Sequence, residues 1–247
     1  MSGESWLILG ASSAIARAFA GEAAARGDLV LLAGRDQEDM ATTACDLEVR
    51  YGVETHVLLF DATAYEGHAV FLERVLERRK GPLNVFLAVA AMAETAELAG
   101  DTPRELAIAE ATFLGPLSIL SHLTPLLEAE SAGRLVVLGS VAGDRGRPKN
   151  YAYGAAKAGL HAYLQGLRSR LWKTGVSVTT IKPGFVDTAM TWGLEGLFLV
   201  ASPEAAARAI MRHALAGAEV RYVPAFWWLI MTLIKLVPER LFKRLDF

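Results

Sequence analysis

Cysteine is almost missing from this 247-residue chain: Cys45 stands alone, so no internal disulfide can form and the fold has to rest on buried apolar surface. A lone cysteine in a helical pattern reads as a small core residue. Charge of one sign is missing too. The net charge is −2 and the pI near 6.2, so there is no global basic field of the kind nucleic acid selects. No stretch rich in Pro, Gly and Ser and no charge run divides the chain, which reads as one domain over residues 1–247, with a core over 1–224 and an apolar, basic tail over 225–247. The N-terminal residues lack a charged leader segment and soon enter a strand, so no signal peptide is read, and without signal or disulfide the cytoplasm is the default. The five histidines (His56, His68, His122, His161, His213) lack HExxH spacing and no metal cluster is read. Ser140 does not sit in a G-x-S-x-G elbow, because Leu138 takes the first glycine position. No internal repeat is visible.

What abounds is apolar. Hydrophobic residues make up 53% of the chain and the mean hydropathy is +0.30, enough for a large core plus buried subunit or membrane contacts, and a homo-oligomer is the expectation. Short apolar runs at 6–9, 29–33, 55–60, 83–89, 135–138, 176–181 and 221–223 read as strands. Helical spacing separates them at 13–26, 41–51, 66–79 and 103–127, and Ser202-Pro203-Glu204 opens a further helix with a cap and a first-turn proline. The alternation predicts an α/β fold: one Rossmann-type, doubly wound parallel sheet with helices on both faces.

Residues 140–157, SVAGDRGRPKNYAYGAAK, gather the groups that can handle a proton. Tyr153 and Lys157 lie four apart, which stacks them on one helix face, whereas Tyr151, six from Lys157, faces elsewhere. An ammonium beside a phenol favours the phenolate and lowers a pKa that is about 10 when unperturbed, making a general acid or base near neutral pH. Ser140, thirteen residues before Tyr153, follows a buried strand at the carboxyl end where open α/β sheets bind ligands. Asn150 is placed to cap the helix.

Together with the Gly10-led turn near the N-terminus, this set resembles the active site of the short-chain dehydrogenase/reductase family. The resemblance covers residues 6–223 and implies hydride transfer between a nicotinamide cofactor and a ketone or secondary alcohol. It assigns Ser140 to the carbonyl oxygen, Tyr153 to the proton, and Lys157 to the nicotinamide ribose and the tyrosine pKa. The turn reads G-A-S-S-A-I-A: Gly10 is kept, Ala14 and Ala16 stand where the family usually has glycine, and backbone N–H groups with Ser12 and Ser13 remain to hold a pyrophosphate at the helix start, beside Ala14 and Ile15. At the second strand end stands Gly34 followed by Arg35, some 24 residues after Gly10, and a guanidinium there suits a ribose 2′-phosphate, so NADP(H) is expected over NAD. Asp61 and Ala62 are implied adenine contacts, and capping of the next helix is a reading of Asp61 that can hold beside it. Ala88-Val89-Ala90-Ala91 replaces the family's Asn-Asn-Ala-Gly, leaving Ala90 to pack by its backbone. Pro183, Gly184, Val186 and Thr188 match the loop that holds the nicotinamide carboxamide, and Tyr153 and Lys157 complete the cofactor contacts. Thr112 stands where the family has a catalytic asparagine; its hydroxyl is expected to bond the carbonyl one turn earlier, bend the helix and relay water to Lys157.

Two stretches bear on the substrate. Arg145, Arg147 and Lys149 place three cations in five residues before the catalytic helix, read either as a solvated loop or as a site for a substrate phosphate. Residues 189–200 fit a mobile lid made apolar by Trp192 and Phe198. Residues 225–237, AFWWLIMTLIKLV, are too few for a membrane span, which needs about 20 residues. They are read either as a helix buried against another subunit or as an interfacial anchor with Lys235, Arg240, Lys243 and Arg244 near anionic lipid. The glycine loop, the basic segment and this tail are similar to decaprenylphosphoryl 2-keto-ribose reductases, which implies a lipid-linked keto-sugar phosphate as substrate and peripheral contact with the inner membrane face. Small carbonyl compounds are the broader class. The reading from another class is a non-catalytic dinucleotide-binding regulator or scaffold, motivated by the lost glycines and asparagines.

Overall fold

A strand buried on both faces has no need to alternate, and the apolar runs of the sequence behave accordingly. In the computed structural model, which describes residues 3–98, 100–192 and 198–245, every residue of the first, second and fourth strands is buried. The elements follow in the order β1 (Ser5–Leu9), α1 (Ala14–Ala25), β2 (Leu29–Gly34), α2 (Gln37–Tyr51), β3 (Thr55–Leu59), α3 (His68–Arg78), β4 (Leu83–Leu87), α4 (Thr95–Leu98), α5 (Thr102–Ala109), α6 (Gly115–Glu130), β5 (Arg134–Leu138), α7 (Tyr151–Leu171), β6 (Ser177–Pro183), α8 (Pro203–Leu215), β7 (Val220–Val223), α9 (Trp227–Leu236) and α10 (Glu239–Phe242). The seven strands form one parallel sheet in the order β3-β2-β1-β4-β5-β6-β7. Strand order reverses between β1 and β4, which opens a crevice at their carboxyl ends.

Alternate strand residues feed two cores. Leu7, Leu31, Val85, Leu87 and Val137 meet α3, α6 and α7 on one face, while Trp6, Ile8, Val30, Phe86 and Val136 meet α1, α2 and α8 on the other. The second core is keyed by Phe19, stacked on Phe86 at 4.1 Å and edge-on to Trp6 at 4.9 Å. The expected doubly wound α/β sheet is thus the observed one.

Several local expectations need correction. Helix α2 starts at Gln37, four residues earlier than the apolar spacing implies, because the Asp36 side chain accepts a hydrogen bond from Asp39 N (3.0 Å) and Glu38 and Asp39 oppose the helix dipole. On that helix Cys45 is exposed, not a core residue. Helix α3 begins at His68 after a 3₁₀ turn over Tyr65–Gly67, whose glycine interrupts the spacing. The long helix runs unbroken over Thr102–Glu130, with a π turn at Glu110–Leu114 between α5 and α6. By length and hydropathy that stretch passes for a membrane span, yet its Ile119, Leu120, Leu123 and Leu127 are packed into the sheet core. Asn150 does occupy the N-cap position of α7, without a side-chain cap bond.

Candidate active site

All the residues expected to meet the cofactor line two cavities that share Ser12, Ser13, Ala88 and Ala90 at the reversal point of the sheet. The nucleotide end is built largely of backbone. Gly10 leaves β1 with φ +82°, and a Cβ there would lie 2.9 Å from the Ala88 carbonyl oxygen, so both conformation and space require glycine. Ser13 caps α1 by accepting from Ala16 N (3.2 Å), which commits its hydroxyl. Ser12 Oγ is buried without a hydrogen-bond partner among the described residues and faces both cavities, and its carbonyl is held by Arg17 (2.8 Å). A buried orphan hydroxyl beside a helix N-terminus fits a pyrophosphate.

Farther out, exposed Arg35 makes no ion pair among the described residues and lines the same cavity as Asp61 and Ala62. Asp61 does not cap a helix. Its Oδ1 closes a local turn, accepting from Thr63 N (2.9 Å) and Thr63 Oγ1 (2.8 Å), and these bonds, the backbone one foremost, hold the carboxyl below its ordinary pKa. Thr112 also departs from expectation. Buried in the π turn, it donates to Ala91 O (2.9 Å) and accepts from Ala91 N (3.0 Å), so its one proton is spent on the loop after β4 and not on its own helix or on a relay to Lys157. It splints the loop that has lost the family's asparagines.

The end that holds Tyr153 and Lys157 is buried. Ser140, two residues past β5, accepts from Ala142 N (3.0 Å), and its hydroxyl interacts with that of Tyr153. Lys157, 2% exposed, donates to Leu138 O (2.7 Å), and its Nζ stands 5.8 Å from the Tyr153 ring centroid. Sequence spacing brought these three groups together correctly. The expected electrostatics do not follow. Burial pushes the Tyr153 phenol up to about 12, opposed by the Ser140 hydrogen bond and by the Arg147 charge. Burial likewise lowers Lys157 to about 7. An ammonium this desolvated gives up its proton near neutrality, so in the free chain Lys157 does not depress the tyrosine.

His161, one further turn along α7, continues the four-residue repeat of Tyr153 and Lys157, a signal that the absence of HExxH spacing does not touch. Its Nε2 accepts from Ser140 N (3.3 Å), and burial foremost lowers its pKa to about 3, so it is neutral with the proton on Nδ1. Gly139 and Gly143 make room for it: added Cβ atoms would come within 2.2 Å and 2.7 Å of the ring. Behind it, Asp144 is paired with Lys182 and accepts from Tyr222 OH (2.6 Å).

The basic segment divides. Arg145 turns away from the cavity, pairing with Glu239 (2.8 Å), donating to Lys235 O (3.3 Å) and lying 4.2 Å over the Phe242 ring. Lys149 is exposed. Only Arg147 lines the cavity with Ser140, Tyr153 and Lys157, so the expectation of three cations meeting one anion is corrected to one. On the opposite wall, Trp227 of α9 lies against Gly184, where a Cβ would come within 1.8 Å of the indole, and contacts Phe185 (5.2 Å) and Phe198 (5.5 Å). The tail therefore backs the loop of Pro183, Gly184, Val186 and Thr188. Of the expected lid, residues 193–197 lie outside the described residues; Trp192 is exposed.

Comparison with known proteins agrees with this geometry. The short chain dehydrogenase family model matches residues 4–196. The chain belongs to that family. Among its relatives, an uncharacterized oxidoreductase of Mycobacterium tuberculosis is 31% identical over 240 residues, covering 97% of this chain and 96% of the relative. One from Streptomyces coelicolor is 34% identical over 246 residues, covering 98% and 95%. Solved structures of similar fold include an actinorhodin polyketide ketoreductase with NADPH (TM-score 0.80, 21% identity, 91% of this chain and 97% of that one). L-sorbose reductase from Gluconobacter frateurii with NADPH and L-sorbose is comparable (TM-score 0.78, 19% identity, 90% and 95%). This short-chain dehydrogenase is an oxidoreductase of the NAD(P)-dependent kind.

Proposed function

We propose that this protein reduces a ketone, or oxidises the matching secondary alcohol, with NADP(H). The observation that carries the reading is a buried phenol at the closed end of a dinucleotide crevice, its proton held at neutral pH and its hydroxyl against Ser140. NADPH, when bound, supplies the hydride. Ser140 hydrogen-bonds the carbonyl oxygen and Tyr153 gives that oxygen its proton. Lys157, titrating near neutrality, is placed to take up charge as the phenolate forms. Arg35 holding a 2′-phosphate, the orphan hydroxyl of Ser12, and the NADPH bound in the similar structures support NADP over NAD.

The finer reading is a lipid-linked keto-sugar phosphate, handled by a protein peripheral to the membrane's inner face. It is supported by an apolar cavity wall of Met92, Phe185 and Met190, and by the outer side of α9, where Trp228, Leu229, Leu233 and Leu236 are exposed and which Lys243 and Arg244 follow in the sequence. A second copy of the chain is the other occupant that surface suits, as a homo-oligomer.

The test is NADPH oxidation with a panel of ketones by wild type and Tyr153→Phe. Turnover falling by ~10²- to 10⁴-fold in the variant, with NADPH binding kept, is expected for loss of a general acid. NADPH binding without turnover of any ketone or alcohol would instead favour a dinucleotide-binding regulator.

A further inference from the structure

We propose that Arg147 is an anion-recognition site: the substrate carries, a few bonds from its carbonyl, a carboxylate or phosphate that pairs with this guanidinium. The inference rests on the carbonyl-reductase reading and adds the charge of the substrate to it. Three observations carry it. The Arg147 side chain lines the cavity that also holds Ser140, Tyr153 and Lys157. Its Nε is buried with no hydrogen-bond partner, and the residue makes no ion pair among the described residues. Arg145, two positions away in the same loop, has a carboxylate, a backbone carbonyl and an aromatic face. A chain that satisfies one arginine so fully and leaves its neighbour desolvated has a use for the second. Arg147 is half-buried, and keeping its Nε out of water without a partner is costly, while a planar fork of donors is the natural receptor for a two-oxygen anion.

The groups around it narrow the choice. Tyr153 is within reach of its charge and is protonated at neutral pH, Lys157 titrates near neutrality, and no carboxylate among the described residues lines this cavity. The rest of the wall is largely apolar, with Met92, Val141, Phe185 and Met190. An apolar body bearing one anionic group near the ketone matches both.

Two ketone pairs test this: hydroxyacetone phosphate against hydroxyacetone, and 4-oxopentanoate against its methyl ester. Binding of each to the NADP⁺-loaded protein is measured by calorimetry, where no hydride is available and turnover is irrelevant, and kcat/KM is measured separately with NADPH. The expected result is ~10- to 100-fold tighter binding of the anionic member in at least one pair, the range for a charge-assisted contact. Arg147→Met should abolish that preference and Arg147→Lys should keep part of it. The pair with the larger ratio identifies phosphate or carboxylate. No preference in wild type for either pair overturns the proposal, and so does a loss in Arg147→Met shared equally by charged and neutral ketones, which would make the guanidinium a support for Tyr153 alone. Anion preference in binding without ketone reduction by NADPH would leave the site standing and sink the reductase reading, so the two failures are distinct.

Discussion

The two ends of the cleft solve opposite problems. At the nucleotide end most of the family's signature side chains have changed, yet the geometry survives because the work falls to backbone: the turn at Gly10, the free N–H groups at the start of α1, and the Ala90–Ala91 loop pinned by Thr112. At the Tyr153 end the serine, tyrosine and lysine of the signature are kept, yet their electrostatics are set by depth of burial, which lifts Tyr153 and lowers Lys157. Side chains can change where main chain sets the geometry. Keeping them does not fix their protonation.

The comparison can be pressed from both sides. At the buried end, Lys157→Met should abolish reduction while stabilising the free protein. The lysine's folded value of about 7 lies below the 10.5 of an exposed amine, so the unfolded chain binds the proton more readily and the cost is fully present below pH 7. The gain, on the order of a few kcal/mol less what the unpaired Leu138 carbonyl costs, should be largest near pH 6 and shrink toward pH 10 in thermal melts. A variant equally stabilised at every pH would break the contrast. At the open end the effects are smaller: Arg35→Ser should cut the preference for NADPH over NADH by ~10-fold, read as a ratio of kcat/KM, and leave thermal stability nearly unchanged because Arg35 is exposed and unpaired.

How far the sequence reveals this site depends on which physical level each feature occupies. The doubly wound parallel sheet follows from alternation of apolar runs with helices, and the meeting of Ser140, Tyr153 and Lys157 from a strand end and a four-residue spacing; both are local signals. Arg145 and Arg147 are indistinguishable by such signals, since their fates depend on Glu239 and Phe242, more than ninety residues downstream. Thr112 bonding Ala91 instead of its own helix is likewise a tertiary choice. The sign of the Tyr153 shift is not legible locally for the same reason: spacing gives the distance to an ammonium, whereas solvent exclusion is a property of the assembled fold. His161, by contrast, carries a local signal, as the next member of the Tyr153–Lys157 repeat.

The central claim is that solvent exclusion keeps the Tyr153 phenol protonated until substrate and cofactor arrive. A pH titration by NMR of protein labelled at the tyrosine ζ carbons, with the Tyr153 signal assigned by its loss in Tyr153→Phe, tests this directly in the free chain. The expected midpoint is about 12, well above an exposed phenol. A midpoint below about 10, the value of an unperturbed tyrosine, would mean that Lys157 governs the phenol after all.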